Sequence, residues 1–132
     1  MPATPETTRI NWLQADLLNT PTLSELHGQF DTVVDVQTYH ALAGALAPAP
    51  VAAAAVASFL SPGGRLLVIT GNSREPPRLV PGPTLLTREE VVSPFEAAGL
   101  TLVSLEESRF DSTPVYGLCP PLAWVAVFSK PA

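Results

Sequence analysis

Asp16, Asp35, Tyr39 and His40 are the residues whose types and positions could do chemistry. "INWLQADLL" sets Asp16 just past a short apolar run, and "FDTVVDVQTYHAL" sets Asp35, Gln37, Tyr39 and His40 at the end of another. "RLLVITGN" ends on Thr70 and Asn72. In an open α/β sheet, ligands sit outside the carboxyl ends of the strands. Two carboxylates at neighbouring strand ends can accept hydrogen bonds from an amine or a hydroxyl. His40 or Tyr39 can serve there as a base or orient a nucleophile. Each residue also has a structural reading. Asp16 can cap the next turn, Asp35 can simply end its strand, and His40 can pack as a buried or surface ring. His27 reads as a surface histidine. Cys119, in "GLCPP", reads as a loop or buried thiol with no histidine close in sequence. No His/Cys/Asp cluster has metal-ligand spacing. Neither a nucleophile elbow nor a phosphate-binding glycine loop is present.

The elements that must position these residues can be read from the same sequence. Residues 1–9, "MPATPETTR", read as a frayed tail, and residues 10–132 as a single domain. Ile10, Trp12 and Leu13 suggest a short strand. Thr20, Pro21 and Gly28 can cap, open and end a short helix. The β-branched run Thr32-Val33-Val34 predicts a strand over about 31–36. "APAPVAAAAVASFL" predicts an alanine-rich helix, opened by Pro48 and Pro50 and stopped by Pro62 and Gly63. The Pro-Gly-Gly turn then feeds "RLLVIT", a strand apolar on both faces, as in a covered parallel sheet. Thr87 and Glu90 form a capping box opening "LTREEVVSPFEAAGL", which Gly99 ends and Pro94 should kink. "LTLVSLEE" and "LAWVAVFSK" supply the last two strands. Strand and helix alternate until that pair, which predicts an α/β fold with a mainly parallel sheet.

Composition narrows the function classes. The chain has 132 residues, of which 46% are hydrophobic and 14% charged, against a usual charged share of about 25%. A sparse surface charge is consistent with a partner covering part of it. Net charge is −5, and the basic residues Arg9, Arg65, Arg74, Arg78, Arg88, Arg109 and Lys130 are scattered. No basic stripe exists to hold a phosphate backbone, so nucleic acid is not an expected partner. The run Val51 to Leu60 is too short to cross a bilayer, so no membrane partner is expected. There is no signal-peptide pattern, and one cysteine makes no internal disulfide, so the expected compartment is the cytoplasm.

Five segments in order, "WLQADLL", "FDTVVDVQTYHAL", "FLSPGGRLLVIT", "GPTLLTREEVVSPFEAAGLTLVSLEE" and "PPLAWVAVFSKP", resemble the class I S-adenosylmethionine-dependent methyltransferases. The look is nearest to the small-molecule branch that includes thiopurine and thiol methyltransferases. The resemblance covers residues 10 to 131. It implies a truncated Rossmann-like sheet with an antiparallel C-terminal strand pair and helices on both faces. It also implies S-adenosylmethionine as cofactor and a small-molecule nucleophile as substrate. Asp16 matches the acidic residue that accepts from the adenine amino group, and Leu17 the neighbour whose backbone touches the adenine. Asp35 and Val36 match the strand end near the methionine part and the methyl group. Tyr39 and His40 match the segment that lines the substrate side.

Two departures stand out. Where the small-molecule branch often has an Asp-Arg-Gly sequence, this chain has Asp35-Val36-Gln37. The family's glycine-rich loop and its ribose-binding carboxylate should both precede "INWLQADLL". Only nine residues do, and a strand–helix–strand unit needs about 30. The expectation is therefore weak or no transferase activity in the isolated chain, or a non-catalytic module derived from such an enzyme. Without the family's central first strand, one edge of "TVVDV" is left open, and an apolar edge invites another chain. Either "INWLQ" fills that slot, or a homodimer forms through it.

Overall fold

The computed structural model describes residues 9–77, 84–111 and 120–132. A 3-10 helix at Thr20–Leu26, with Pro21 in its first turn, precedes strand β1 at Phe30–Val36. A single turn of helix, α1, spans Tyr39–Leu42, and the alanine-rich segment forms α2 at Ala49–Ala57. Strand β2 runs Leu60–Asn72, β3 is the two-residue Leu85–Leu86, and α3 is Arg88–Ala97. Strands β4 (Thr101–Arg109) and β5 (Leu122–Ser129) close the chain.

The capping box is present as the sequence predicts. The Thr87 side chain accepts from the Glu90 N–H at 3.1 Å, and Glu90 Oε1 accepts from the Thr87 N–H at 2.9 Å. The Pro-Gly-Gly segment does not precede β2 but lies inside it as an irregularity: Phe30 pairs with Leu60, and the next pair is Thr32 with Arg65. Gly63 takes φ +78° there, and a Cβ on Gly64 would come within 2.9 Å of the Ser61 carbonyl oxygen.

The sheet order is β1-β2-β5-β4, with β3 pairing the far end of β2. Strands β1 and β3 run parallel to β2, while β5 runs antiparallel to both β2 and β4. The class is α/β, with a mixed sheet. Cross-strand register sorts the side chains into two faces. Val33, Leu66, Phe128 and Leu102 form one row, and Asp35, Val68, Ala126 and Leu105 the next. These point to a single core built with Ala52, Ala53 and Val56 of α2, Val91, Val92 and Phe95 of α3, and Tyr39.

The opposite face is different. Its rows are Val34, Leu67 and Val127, then Val36, Ile69 and Val125. None of these six is fully buried, and Val34 is 58% exposed. Helices α1, α2 and α3 pack on one another and on the core face. Among the described residues the helices therefore lie on one face of the sheet, where the resemblance implied both. The physical reason is the alternation itself, since only the core-facing rows meet helical side chains.

The expected strand at Ile10, Trp12 and Leu13 does not form. These residues are irregular and exposed, Trp12 at 89%. Of this stretch only Ile10 is β-branched, and its side chains gain no burial that would offset ordering it. The β1 edge is thus not filled by "INWLQ". The tail over 1–8, Arg78 and Cys119 lie outside the described residues. No helix among the described residues is long and apolar enough to cross a membrane.

Candidate functional site

The carboxyl ends of β1 and β2 lie side by side, Val36 opposite Ile69. Beyond β1 the chain turns sharply at Gln37, whose φ of +62° is a left-handed value that side-chain-bearing residues seldom adopt. The turn is held from both sides. The Gln37 N–H donates to the Ile69 carbonyl at 3.0 Å. Asp35 Oδ1 accepts from the Thr38 N–H at 3.3 Å and from the Tyr39 N–H at 2.9 Å. Asp35 thus supplies acceptors for two free amides at the start of α1. Burial raises its carboxyl pKa above the ordinary 3.8, while those two backbone hydrogen bonds pull the other way.

Tyr39 belongs to the core. It is fully buried, with its ring centroid 4.7 Å from that of Phe95. Its hydroxyl donates to the Glu90 carbonyl at 2.9 Å. In a regular helix that carbonyl would accept from the N–H four residues on, but that residue is Pro94, which has none. Tyr39 therefore satisfies a carbonyl that the proline orphans. Burial, with the nearby Glu90 and Asp35 charges, pushes its phenol up to about 12. The phenol, which the sequence offered as a base or orienting group, here donates within the fold.

His40 is also tied down. It is buried, and its Nδ1 accepts from the Gly71 N–H at 2.8 Å, joining α1 to the end of β2. That bond requires the neutral ring with its proton on Nε2. Burial lowers its pKa below the ordinary 6.5, in agreement with that protonation state. The Nδ1 lone pair of this candidate base or orienting group is thus engaged in a bridge between α1 and β2.

The other strand-end polar groups turn inward as well. Thr70 and Asn72 are buried, the latter accepting from the Arg74 N–H at 2.9 Å and donating to the Ala123 carbonyl at 3.4 Å. His27, read from sequence as a surface residue, is half-buried with its ring edge on Phe59, and its Nε2 has no hydrogen-bond partner. Among the described residues no group of three His, Cys, Asp or Glu side chains could hold a metal ion.

Asp16 lies in the turn that leads to the 3-10 helix. Its Oδ1 accepts from the Leu18 N–H at 2.9 Å, the capping role that was one of its two readings, and the residue is exposed. Leu17 and Asp35 line the same cavity, with Val33, Thr38, Val56 and Phe59, and its volume is about 180 Å³. Val36 is 45% exposed and points to the other face of the sheet. No residue pattern signals the strain at Gln37 directly. The nearest signal was that this residue stands where the resembling enzymes often have glycine, which takes positive φ without cost.

No family model and no curated protein matches the chain. Solved structures do. The [4+2]-cyclase SpnF superposes with a TM-score of 0.66 at 14% identity, over 94% of this chain and 57% of its own. The N-methyltransferase NodS from Bradyrhizobium japonicum, in complex with S-adenosylhomocysteine, gives 0.59 at 18% identity, over 95% and 56%. The 1,6-didemethyltoxoflavin-N1-methyltransferase from Burkholderia thailandensis, with 1,6-didemethyltoxoflavin and S-adenosylhomocysteine bound, gives 0.56 at 20%, over 80% and 46%. The chain spans about half the length of these structures. It has the fold of the class I S-adenosylmethionine-dependent methyltransferases.

The residues present do not by themselves fit that cofactor. A ligand-sized pocket is roughly 300–1,000 Å³, and the cavity between Leu17 and Asp35 is about 180 Å³. Asp16 is outside it, the Asp35 Oδ1 is taken up by α1, and Val36 faces away.

Proposed function

We propose that this chain is a methyltransferase-like domain, related to enzymes that methylate small-molecule nucleophiles, with weak or no transferase activity as an isolated chain. The observation that carries this reading is how the strand-end residues are used. Asp35, Tyr39 and His40 stand where the resemblance would put cofactor and substrate contacts, and all three hold backbone groups of the fold instead. Catalysis on such folds is chiefly positioning of nucleophile and donor. Side chains committed to the core do not position a ligand. The cofactor residues carried by the resemblance, Asp16, Leu17, Asp35 and Val36, then form part of a site. A fold alone does not fix the reaction; one neighbour with it is described as a [4+2]-cyclase.

A second reading is a non-catalytic module that forms oligomers or binds a partner, with the open β1 edge as the natural place for a homodimer. The unpaired edge and the exposed Val34 and Val36 favour it. Calorimetric titration of S-adenosylhomocysteine into the purified chain separates the two. Measurable heat that Asp16→Ala diminishes would mean that the strand ends still hold the cofactor, against the poor fit of the cavity, and would support the first reading. No heat at millimolar ligand, meaning affinity weaker than about −4 kcal/mol, removes the cofactor reading for this chain and leaves the module.

A further inference from the structure

Among the described residues, helices cover one face of the sheet and none packs on the other, called here the bare face. The bare face carries Val34, Leu67 and Val127 side by side across three strands, and Val36, Ile69 and Val125 in the adjoining row. Val34 and Val36 are exposed and the other four are half-buried, so covering them would remove further apolar area from water.

The margin of this face is charged in a way that is complementary to itself. Arg65, on β2, pairs with Ser129 of β5, and Glu106, on β4, pairs with Val125 of β5. Paired residues share a face, and Ser129 and Val125 are four apart, so Arg65 and Glu106 share the bare face too. They stand at its opposite corners, two strands and four residues apart, and both are exposed. A two-fold axis lying between two such faces, and crossing the line from Arg65 to Glu106 at its middle, sets each Arg65 over the Glu106 of the other copy. The apolar rows then meet between the two ion pairs. An isologous contact of this kind is self-complementary and closes at two copies.

We infer that the bare face of the sheet is where a second copy of this chain docks, Arg65 of each copy meeting Glu106 of the other. This deepens the module reading by naming the surface, the face and not the β1 edge. It stands whether or not the cofactor binds, because its readout is the mass of the protein and not the heat of ligand binding.

Sedimentation equilibrium or light scattering on the 132-residue chain at micromolar to hundred-micromolar concentrations tests it. The expected mass is twice that of the chain. Arg65→Glu and Glu106→Arg, both at exposed positions that the fold tolerates, should each weaken the dimer about tenfold. The double reversal Arg65→Glu with Glu106→Arg should restore most of the affinity. Leu67→Lys, which lies on a central strand and not on the β1 edge, should give a monomer. Circular dichroism on each variant checks that the fold is intact. A wild-type chain that stays monomeric at hundreds of micromolar overturns the inference. A dimer that ignores both Leu67→Lys and the charge reversals overturns it as well, since that dimer would be held by the β1 edge. A dimer that the single reversals weaken but the double reversal does not restore overturns the Arg65–Glu106 contact.

Discussion

Tyr39 and Pro94 should be energetically coupled, although 55 residues separate them in sequence. The Pro94 ring supplies no N–H to the Glu90 carbonyl and also crowds it. The Tyr39 hydroxyl donates to that oxygen at 2.9 Å. Tyr39→Phe keeps the ring against Phe95 and removes only the donor, leaving a part-buried carbonyl without that partner. That costs about 1–3 kcal/mol. For a domain of this size each kcal/mol lowers the melting temperature by about 3–5 °C. Pro94→Ala returns the helical N–H, so the carbonyl then has a donor of its own. In the Pro94→Ala background Tyr39→Phe should cost under about 1 kcal/mol, giving a coupling of about 1–2 kcal/mol. Urea unfolding followed by circular dichroism on the four proteins measures the cycle. The phenol provides a second readout. With its pKa raised from 10 to about 12 in the fold, the stability tied to its neutral form is present below pH 10 and lost as pH rises through about 12. Tyr39→Phe should flatten that alkaline fall. If Tyr39→Phe costs the same with proline or alanine at position 94, the hydroxyl is not replacing the missing amide and the reasoning fails.

Three further outcomes follow from the neighbouring residues. His40 is held neutral by burial and by the Gly71 N–H, so the unfolded chain binds the extra proton. The stability it contributes is complete above its ordinary pKa of 6.5 and declines as pH falls through the folded value, by at most about 1.4 kcal/mol per pH unit. His40→Gln should remove this slope in unfolding measurements. Asp35, raised by burial, acts with the opposite sign, its contribution being present at low pH and lost as pH rises through its folded pKa. At Gln37 the left-handed φ of +62° predicts that Gln37→Val costs about 1–2 kcal/mol. Gln37→Gly should cost nothing, and a neutral Gln37→Val in thermal unfolding would remove the claim of strain.

How much of this was legible in the sequence differs by residue, for physical reasons. The α3 start was readable because Thr87 and Glu90 carry a local, reciprocal pair of hydrogen bonds that depends on nothing distant. Strand β1 was readable because three β-branched residues in a row state a backbone preference. Strand β2 was readable as buried, but not as buried on one side only. Its Leu66 and Val68 face helices, while among the described residues Leu67 and Ile69 face none. An apolar run looks the same whether its second face meets a helix or a gap, so the run could not reveal the bare face. The segment "INWLQ" failed for a related reason. Its apolar residues promised burial, but a strand needs a partner that holds it, and periodicity alone does not supply one.

The site residues show the same division more sharply. Asp35, Tyr39 and His40 were picked out as polar groups past a strand end, and the structure does bring them together. Their partners are backbone groups far along the chain: the Glu90 carbonyl for Tyr39 and the Gly71 amide for His40. No spacing rule in residues 35–40 foretells those contacts, because each arises from a defect elsewhere. The Glu90 carbonyl is free because of Pro94. The Thr38 and Tyr39 amides are free because α1 begins directly after a strained turn at Gln37. A polar cluster beyond a strand end is thus a reason to look for chemistry, and also for unpaired backbone that the cluster must satisfy. In this chain the second demand absorbs the groups that the first would need. The remaining unmet surface is the apolar sheet face, and that makes association, more than catalysis, the property to measure in the isolated chain.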